Sequence, residues 1–317
     1  MFLDFAALLF FLVVLGKSAD IVVDNVSIIS RFFRISKLAI GFLLVALTTS
    51  FPEFTISVIS SISGEGEIAV GNVFGSNVAN ILLILGFGAL IYGVKLADAD
   101  LTEIRLVLAS TFGIVLILLI LSFLRFPLEN FGGILLLICF CIYCIYSLKK
   151  QNFSEDLSNN IQKSQAVFSF FVFFMGIILV LISSSLVVRF AINLAQGTNF
   201  SEGFIGSTLV AIGTSLPELS TTLSALRKKE YSLALGDAIG SNLVNLTLVL
   251  GSSALLQSTS VLFLPIFIFA MVFALLTDVL AFFFSSYLKE LNKFTGILFL
   301  ILYLVYLIIL FNFQFHF

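Results

Sequence analysis

A stretch of 46 residues occurs twice in this chain, and the two copies align without a gap at an offset of 165. Residues 41–86 read GFLLVALTTSFPEFTISVISSISGEGEIAVGNVFGSNVANILLILG. Residues 206–251 read GSTLVAIGTSLPELSTTLSALRKKEYSLALGDAIGSNLVNLTLVLG, and 18 of the 46 positions are identical. Apolar bias does not place T-S-x-P-E and G-S-N-x-x-N in register over one constant distance. The chain is therefore a duplicated unit, and its fold must be assembled from two related halves.

The solvent of that fold follows from charge. Only 11% of the residues are charged, against about a quarter in soluble domains, while 60% are apolar and the mean hydropathy is +1.18. So few charges cannot cover a water-exposed surface of this size. A net charge of −2 with scattered Lys and Arg also excludes a nucleic-acid footprint. The apolar runs predict ten transmembrane helices at 3–24, 38–62, 68–92, 105–124, 127–148, 166–188, 204–226, 232–255, 259–286 and 293–314. Phe2 to Leu15 lacks a basic flank and a cleavage site, so it reads as the first of these rather than as a signal peptide.

The longest polar insert, 149–165, is read as a cytoplasmic linker between repeat 1 (1–148, helices 1–5) and repeat 2 (166–317, helices 6–10). Five helices is an odd number, so the second half enters the membrane in the opposite sense to the first. The expected fold is an all-α polytopic membrane protein of ten transmembrane helices, arranged as two inverted five-helix repeats. With the N-terminus outside, 13 of the 16 basic residues fall in cytoplasmic loops and only Arg125 and Arg189 fall outside, which predicts N-out and C-out. Inverted repeats belong to secondary transporters, with the substrate site near the midplane where the repeats meet.

Chemistry concentrates at the repeat centres. Pro52 and Pro217 interrupt the second and seventh helices, because proline lacks an N–H and clashes with the carbonyl four residues earlier, here Thr48 and Gly213. A broken helix at membrane depth is tolerated only where it is buried in protein or lines a hydrated cavity. Thr49, Ser50, Thr214 and Ser215 place hydroxyls there, followed at once by Glu53 and Glu218. Each glutamate lies 12 residues after the opening glycine of its repeat, ~18 Å into a layer of ~30 Å. Asn72, Ser76 and Asn80, like Asp237, Ser241 and Asn245, recur at four-residue spacing and form one polar stripe per repeat. Gly71, Gly75, Gly236 and Gly240, with Asn77 and Asn242, read as packing residues.

A carboxylate near the bilayer centre costs at least ~2.5 kcal/mol, and two that face each other need a cation or a proton. Glu53 and Glu218 are accordingly expected to ligate cations. Carboxylate, amide, hydroxyl and carbonyl oxygens form a hard set suited to Ca²⁺ and Na⁺, and no membrane histidine or thiolate pattern invites Zn²⁺ or Cu⁺. Cys139, Cys141 and Cys144 read as small apolar residues of a buried helix, and His316 is terminal.

On these motifs the sequence resembles the cation/Ca²⁺ exchanger superfamily, specifically its prokaryotic sodium/calcium exchangers. The resemblance implies that Glu53 and Glu218 are the central Ca²⁺ ligands, shared with Na⁺. It implies that Thr49, Ser50, Ser76, Thr214, Ser215 and Ser241 are flanking ligands, that Ala46 and Ala211 add backbone carbonyls, and that Asn80 and Asn245 hold mid-site positions. It further implies alternating access, with helices 1 and 6 sliding against the other eight and several Na⁺ exchanged for each Ca²⁺.

Three departures from the family pattern stand out. Thr48 replaces a glycine, which suggests that the first repeat bends differently. Asn245 stands where several family members have an aspartate, which fits less H⁺ and K⁺ involvement. Asp237 replaces the asparagine of position 72, and either lines the cytoplasmic vestibule or pairs with Lys228 or Lys229.

Among other charges, Lys17 and Asp20 read as an i,i+3 pair, Asp278 has no assigned partner, and Glu65 and Glu67 form a solvated turn at the outer mouth. The 38 phenylalanines are lipid-facing surface and core filler.

The expected function is Na⁺/Ca²⁺ antiport in a prokaryotic inner or plasma membrane. It would be carried out by a monomer in a lipid bilayer, with no cofactor and no enzymatic activity. The alternatives are a Ca²⁺/H⁺ or other cation/H⁺ exchanger and, from another class, a cation channel. A single acidic cluster between two broken helices suits a carrier better than a ring-lined pore.

Overall fold

The structure, a computed structural model, describes residues 2–126, 130–149, 161–195, 211–256 and 264–316. Its elements are α1 (Phe2–Phe33), α2 (Lys37–Thr49), α3 (Phe51–Ile62), α4 (Gly66–Tyr92), α5 (Asp98–Phe123), α6 (Asn130–Lys149), α7 (Lys163–Ala195), α8 (Ala211–Thr214), α9 (Leu216–Arg227), α10 (Tyr231–Leu256), α11 (Pro265–Leu288) and α12 (Lys293–His316). Among the described residues eight helices are long and apolar enough to cross a membrane. The pair α2 and α3, bent by 48° at Ser50, makes a ninth if it is counted as one span. The start of the expected seventh crossing, 204–210, and most of the linker lie outside the described residues.

Burial sorts these helices into a centre and a rim. In α4 and α10, 72% and 78% of the most apolar stretch is buried, against 28%, 22% and 28% in α1, α6 and α12. The two G-S-N-x-x-N segments therefore run through the middle of the molecule. Cys139 and Cys141 are exposed on α6, which corrects the expectation of a buried helix; all three cysteines are free thiols.

Close packing at the centre depends on glycine. A Cβ on Gly236 would strike the Leu38 carbonyl, and one on Gly41 would lie 2.7 Å from the Leu233 carbonyl. Hence α2 and α10 cross backbone on backbone, as small-residue interfaces allow. At the rim, α1 and α7 lie along each other, with Gly176 against Val22 and Phe11 stacked on Phe190. Both exceed the predicted 3–24 and 166–188: 32 and 33 residues correspond to ~50 Å of helix, more than the hydrocarbon layer needs.

The loops rich in basic residues share one end of the molecule. Lys37 pairs with Glu230, Ser232 bonds Asp100, and Lys289 reaches Asp98 at 2.7 Å. There the strands β1 (Val94–Lys95) and β2 (Glu290–Leu291) pair antiparallel. Asp20 does not pair with Lys17. Its carboxylate accepts from Ser224 at 2.6 Å and pairs with Arg227, and Lys228 donates to its backbone carbonyl at 2.8 Å and pairs with Asp24 at 2.6 Å. The i,i+3 reading saw only one helix, whereas α9 brings stronger partners.

Two more acids are placed by packing. Helix α5 begins at Asp98 rather than 105, so Glu103 becomes a buried helical acid, 3.5 Å from the Tyr143 hydroxyl. Asp278 is also buried, faces Thr111 of α5, and lines a cavity of about 230 Å³ with Leu108 and Phe112.

Candidate ion-binding site

Each repeat breaks its helix one residue earlier than the proline rule alone suggests. Ser50 (φ −78°, ψ 10°) separates α2 from α3, and Ser215 (φ −86°, ψ 4°) separates α8 from α9. Pro52 and Pro217 occupy the second position of the new helix, where the missing N–H is no loss. The torsions at Ser50 and Ser215 are nearly the same. Thr48, which stands where the second repeat has Gly213, returns its hydroxyl to the Leu44 and Val45 carbonyls at 2.5 and 3.0 Å. Gly213 has no such freedom, because a Cβ there would collide with Val188.

The breaks set two glutamates in the first turn of α3 and α9, each 1% exposed. Ser50 donates to Glu218 Oε1 at 3.1 Å, and Thr214 lies beside the Glu53 carboxylate. Glu218 is within Coulombic reach of Glu53 and Asp237. Thr49, Ser76, Ser215, Ser241, Asn80 and Asn245 are all buried as well. The Ala46 carbonyl accepts the Ser50 N–H at 3.0 Å and the Thr49 hydroxyl at 3.4 Å. Ala211 is the first residue of α8.

The site is distinguished by what these oxygens lack. Glu53 Oε1 and Oε2, Glu218 Oε2, Asn80 Oδ1, Asn245 Oδ1, Ser215 Oγ and Ser241 Oγ are buried without a hydrogen-bond donor of ordinary geometry. They make up most of the unpaired buried side-chain atoms among the described residues. A buried unpaired polar group costs about 1–3 kcal/mol, more if charged. Concentrated on two carboxylates, two amides and two hydroxyls, that deficit is one a hard cation would remove. No cluster of three or more His, Cys, Asp or Glu side chains converges among the described residues, so neutral oxygens must complete any shell. A cavity of about 380 Å³, walled by Leu47, Phe51, Phe54 and Leu248 among others, reaches Ser50 and is bordered on the α7 side by Ile177 and Leu181.

Three residues near the site have roles that sequence reasoning missed. Asp237 neither lines a vestibule nor pairs with Lys228 or Lys229. It is 1% exposed and accepts from Thr221 at 2.5 Å, Thr222 at 2.9 Å and Thr49 at 3.3 Å. Its counterpart Asn72 donates to the Glu53 carbonyl at 3.0 Å and to Ser57 at 2.9 Å. Asn77 and Asn242 are more than packing residues, since each donates to the other's backbone carbonyl, at 3.2 and 3.1 Å. The available signal was their spacing, three residues before Asn80 and Asn245 and so on the same helix face.

Comparison with known proteins gives a consistent picture. The family model described as sodium/calcium exchanger protein matches residues 3–149 and 168–312. The sodium/calcium exchanger MaX1 of Methanosarcina acetivorans is 30% identical, with 97% of this chain and 98% of that protein covered. An uncharacterized membrane protein of Methanocaldococcus jannaschii is 31% identical over 93% of each chain. Among solved structures, the sodium-calcium exchanger NCX_Mj superposes with a TM-score of 0.81 at 29% identity, covering 96% of this chain and 97% of that one.

Proposed function

The chain belongs to the sodium/calcium exchanger family and is a multi-pass membrane antiporter of the cation/Ca²⁺ class, and from that premise we propose that it exchanges Na⁺ for Ca²⁺ at a site built on Glu53 and Glu218. The observation that carries this reading is the set of unpaired buried oxygens on both halves of the duplicated unit. Thr49, Ser50, Ser76, Thr214, Ser215, Ser241, Asn80, Asn245 and the carbonyls of Ala46 and Ala211 complete the coordination. Two carboxylates are neutralised by one divalent ion or by monovalent ions, and mutually exclusive occupancy of one charged site is the physical basis of exchange.

The architecture proposed around the site has ten crossings in two inverted repeats, 1–148 and 166–317, joined by a cytoplasmic linker at 149–165. Reciprocal bonds between Asn77 and Asn242, equivalent positions of the two repeats, support a two-fold relation at the centre. The cross-tied basic loops at one end support a cytoplasmic assignment for that end, with both termini outside. The protein would act as a monomer in the cell membrane.

Na⁺ is preferred over H⁺ as the driving ion because Asn245 contributes a neutral amide where the resemblance puts an aspartate in several family members. Proteoliposomes loaded with Na⁺ and diluted into Na⁺-free buffer are expected to accumulate ⁴⁵Ca²⁺, while a pH gradient alone is expected to drive none. Uptake that follows the pH gradient and ignores Na⁺ would establish a Ca²⁺/H⁺ exchanger instead.

A further inference from the structure

We infer that Asn77 and Asn242 are positioning residues that aim the amide oxygens of Asn80 and Asn245 into the ion site, each acting on the opposite repeat. An asparagine side chain ends in one acceptor and one two-proton donor. For its oxygen to face a cation, its NH₂ group must be held elsewhere, because an amide turned the other way presents protons to the ion. Asn80 Nδ2 donates to Asn242 Oδ1 at 3.0 Å, and Asn245 Nδ2 donates to Asn77 Oδ1 at 3.2 Å. The orienting residues are themselves anchored, each through its own Nδ2 on the other's backbone carbonyl.

The result is a closed square of four asparagines, none more than 2% exposed. Within it each NH₂ group has an acceptor, and the only side-chain oxygens left unpaired are Asn80 Oδ1 and Asn245 Oδ1. Because the contacts cross between α4 and α10, the ligand geometry of each half depends on the packing of the other. Outer residues that orient metal ligands typically influence affinity 10- to 100-fold.

This inference rests on the two-glutamate reading of the site, and a mutant cycle separates it from simple packing. Ca²⁺ affinity of the purified protein is measured by calorimetry for Asn77→Ala, in the parental chain and in Asn245→Asp. The alanine is expected to weaken Ca²⁺ binding about 10-fold or more in the parent. In Asn245→Asp it is expected to change affinity less than about twofold, because a carboxylate presents an oxygen in either orientation. An equal loss in both backgrounds, or no loss in the parent, would overturn the assignment.

If Asn77→Ala does not yield folded protein, the mirror cycle decides the matter. Asn242→Ala is expected to weaken Ca²⁺ binding about 10-fold or more in the parent and less than about twofold in Asn80→Asp, and an equal loss in both backgrounds would contradict the proposal. Parental protein that binds Ca²⁺ but fails to exchange it for Na⁺ would remove the antiport reading and leave the cycle decisive. Parental protein that binds no Ca²⁺ would overturn both.

Discussion

Replacing Glu53 or Glu218 with glutamine is expected to lower the initial rate of Na⁺-driven ⁴⁵Ca²⁺ uptake by at least a hundredfold. Removing one unit charge about 4 Å from a divalent ion, at an effective dielectric constant of about 20, forfeits on the order of 8 kcal/mol of attraction. Part of this is returned, because a buried carboxylate carries a desolvation penalty of several kcal/mol that glutamine avoids. A net loss of about 2.7 kcal/mol already corresponds to two decades in binding. Glutamine also exposes N–H groups where Glu53 has two unpaired oxygens and Glu218 has one. Glu65→Gln, in the exposed turn before α4, should transport at the parental rate. A Glu53→Gln or Glu218→Gln protein that exchanges as fast as the parent would remove the two-carboxylate mechanism.

The second large effect is expected at Asp237, and it should depend on which residue replaces the aspartate. Alanine leaves Thr222 without its hydrogen-bond acceptor and removes a shared one from Thr221 and Thr49, all three buried. At about 1–3 kcal/mol for each buried group left unpaired, Asp237→Ala should lose several kcal/mol of stability and show a clearly lower thermal midpoint. Asp237→Asn should fold like the parent, because Asn72 fills the equivalent place in the first repeat. There it bonds Ser57, the counterpart of Thr222, and the Glu53 carbonyl. If the alanine and asparagine variants melt together, Asp237 does not hold these helices in the way described.

These expectations rest on features that were unevenly legible in the sequence. The duplication put Glu53 and Glu218 at equivalent positions, and the prolines beside them marked the helix breaks, since both signals are local. The hydroxyls of Thr49 and Ser50, and of their counterparts Thr214 and Ser215, were legible beside the same breaks. What was not legible depended on which helix faces which. Asp20 looked like a partner for Lys17 because only α1 was in view, whereas α9 supplies Ser224 and Arg227. Asp237 looked free to meet Lys228, but Thr49 on α2 and two threonines on α9 converge on it first. The predicted span 105–124 leaves out the acidic turn at Asp98; acids are favourable at a helix N-terminus, and the helix starts there, burying Glu103.

Asn77 and Asn242 show the limit most clearly. Their identity in the two repeats was visible, but small polar residues in membrane helices usually mediate packing, and nothing local distinguishes that role from orienting a ligand. Only the cross-repeat contacts show that their side-chain oxygens accept from the NH₂ groups of Asn80 and Asn245.

The most direct measurement is competition binding to the purified protein. Equilibrium ⁴⁵Ca²⁺ binding is followed while Na⁺ is raised at constant ionic strength, for the parent and for the Glu53→Gln, Glu218→Gln double variant. One shared site built on these carboxylates predicts saturable Ca²⁺ binding that Na⁺ displaces completely, and no saturable binding in the double variant. Ca²⁺ binding that persists in the double variant, or that Na⁺ leaves untouched, would contradict it.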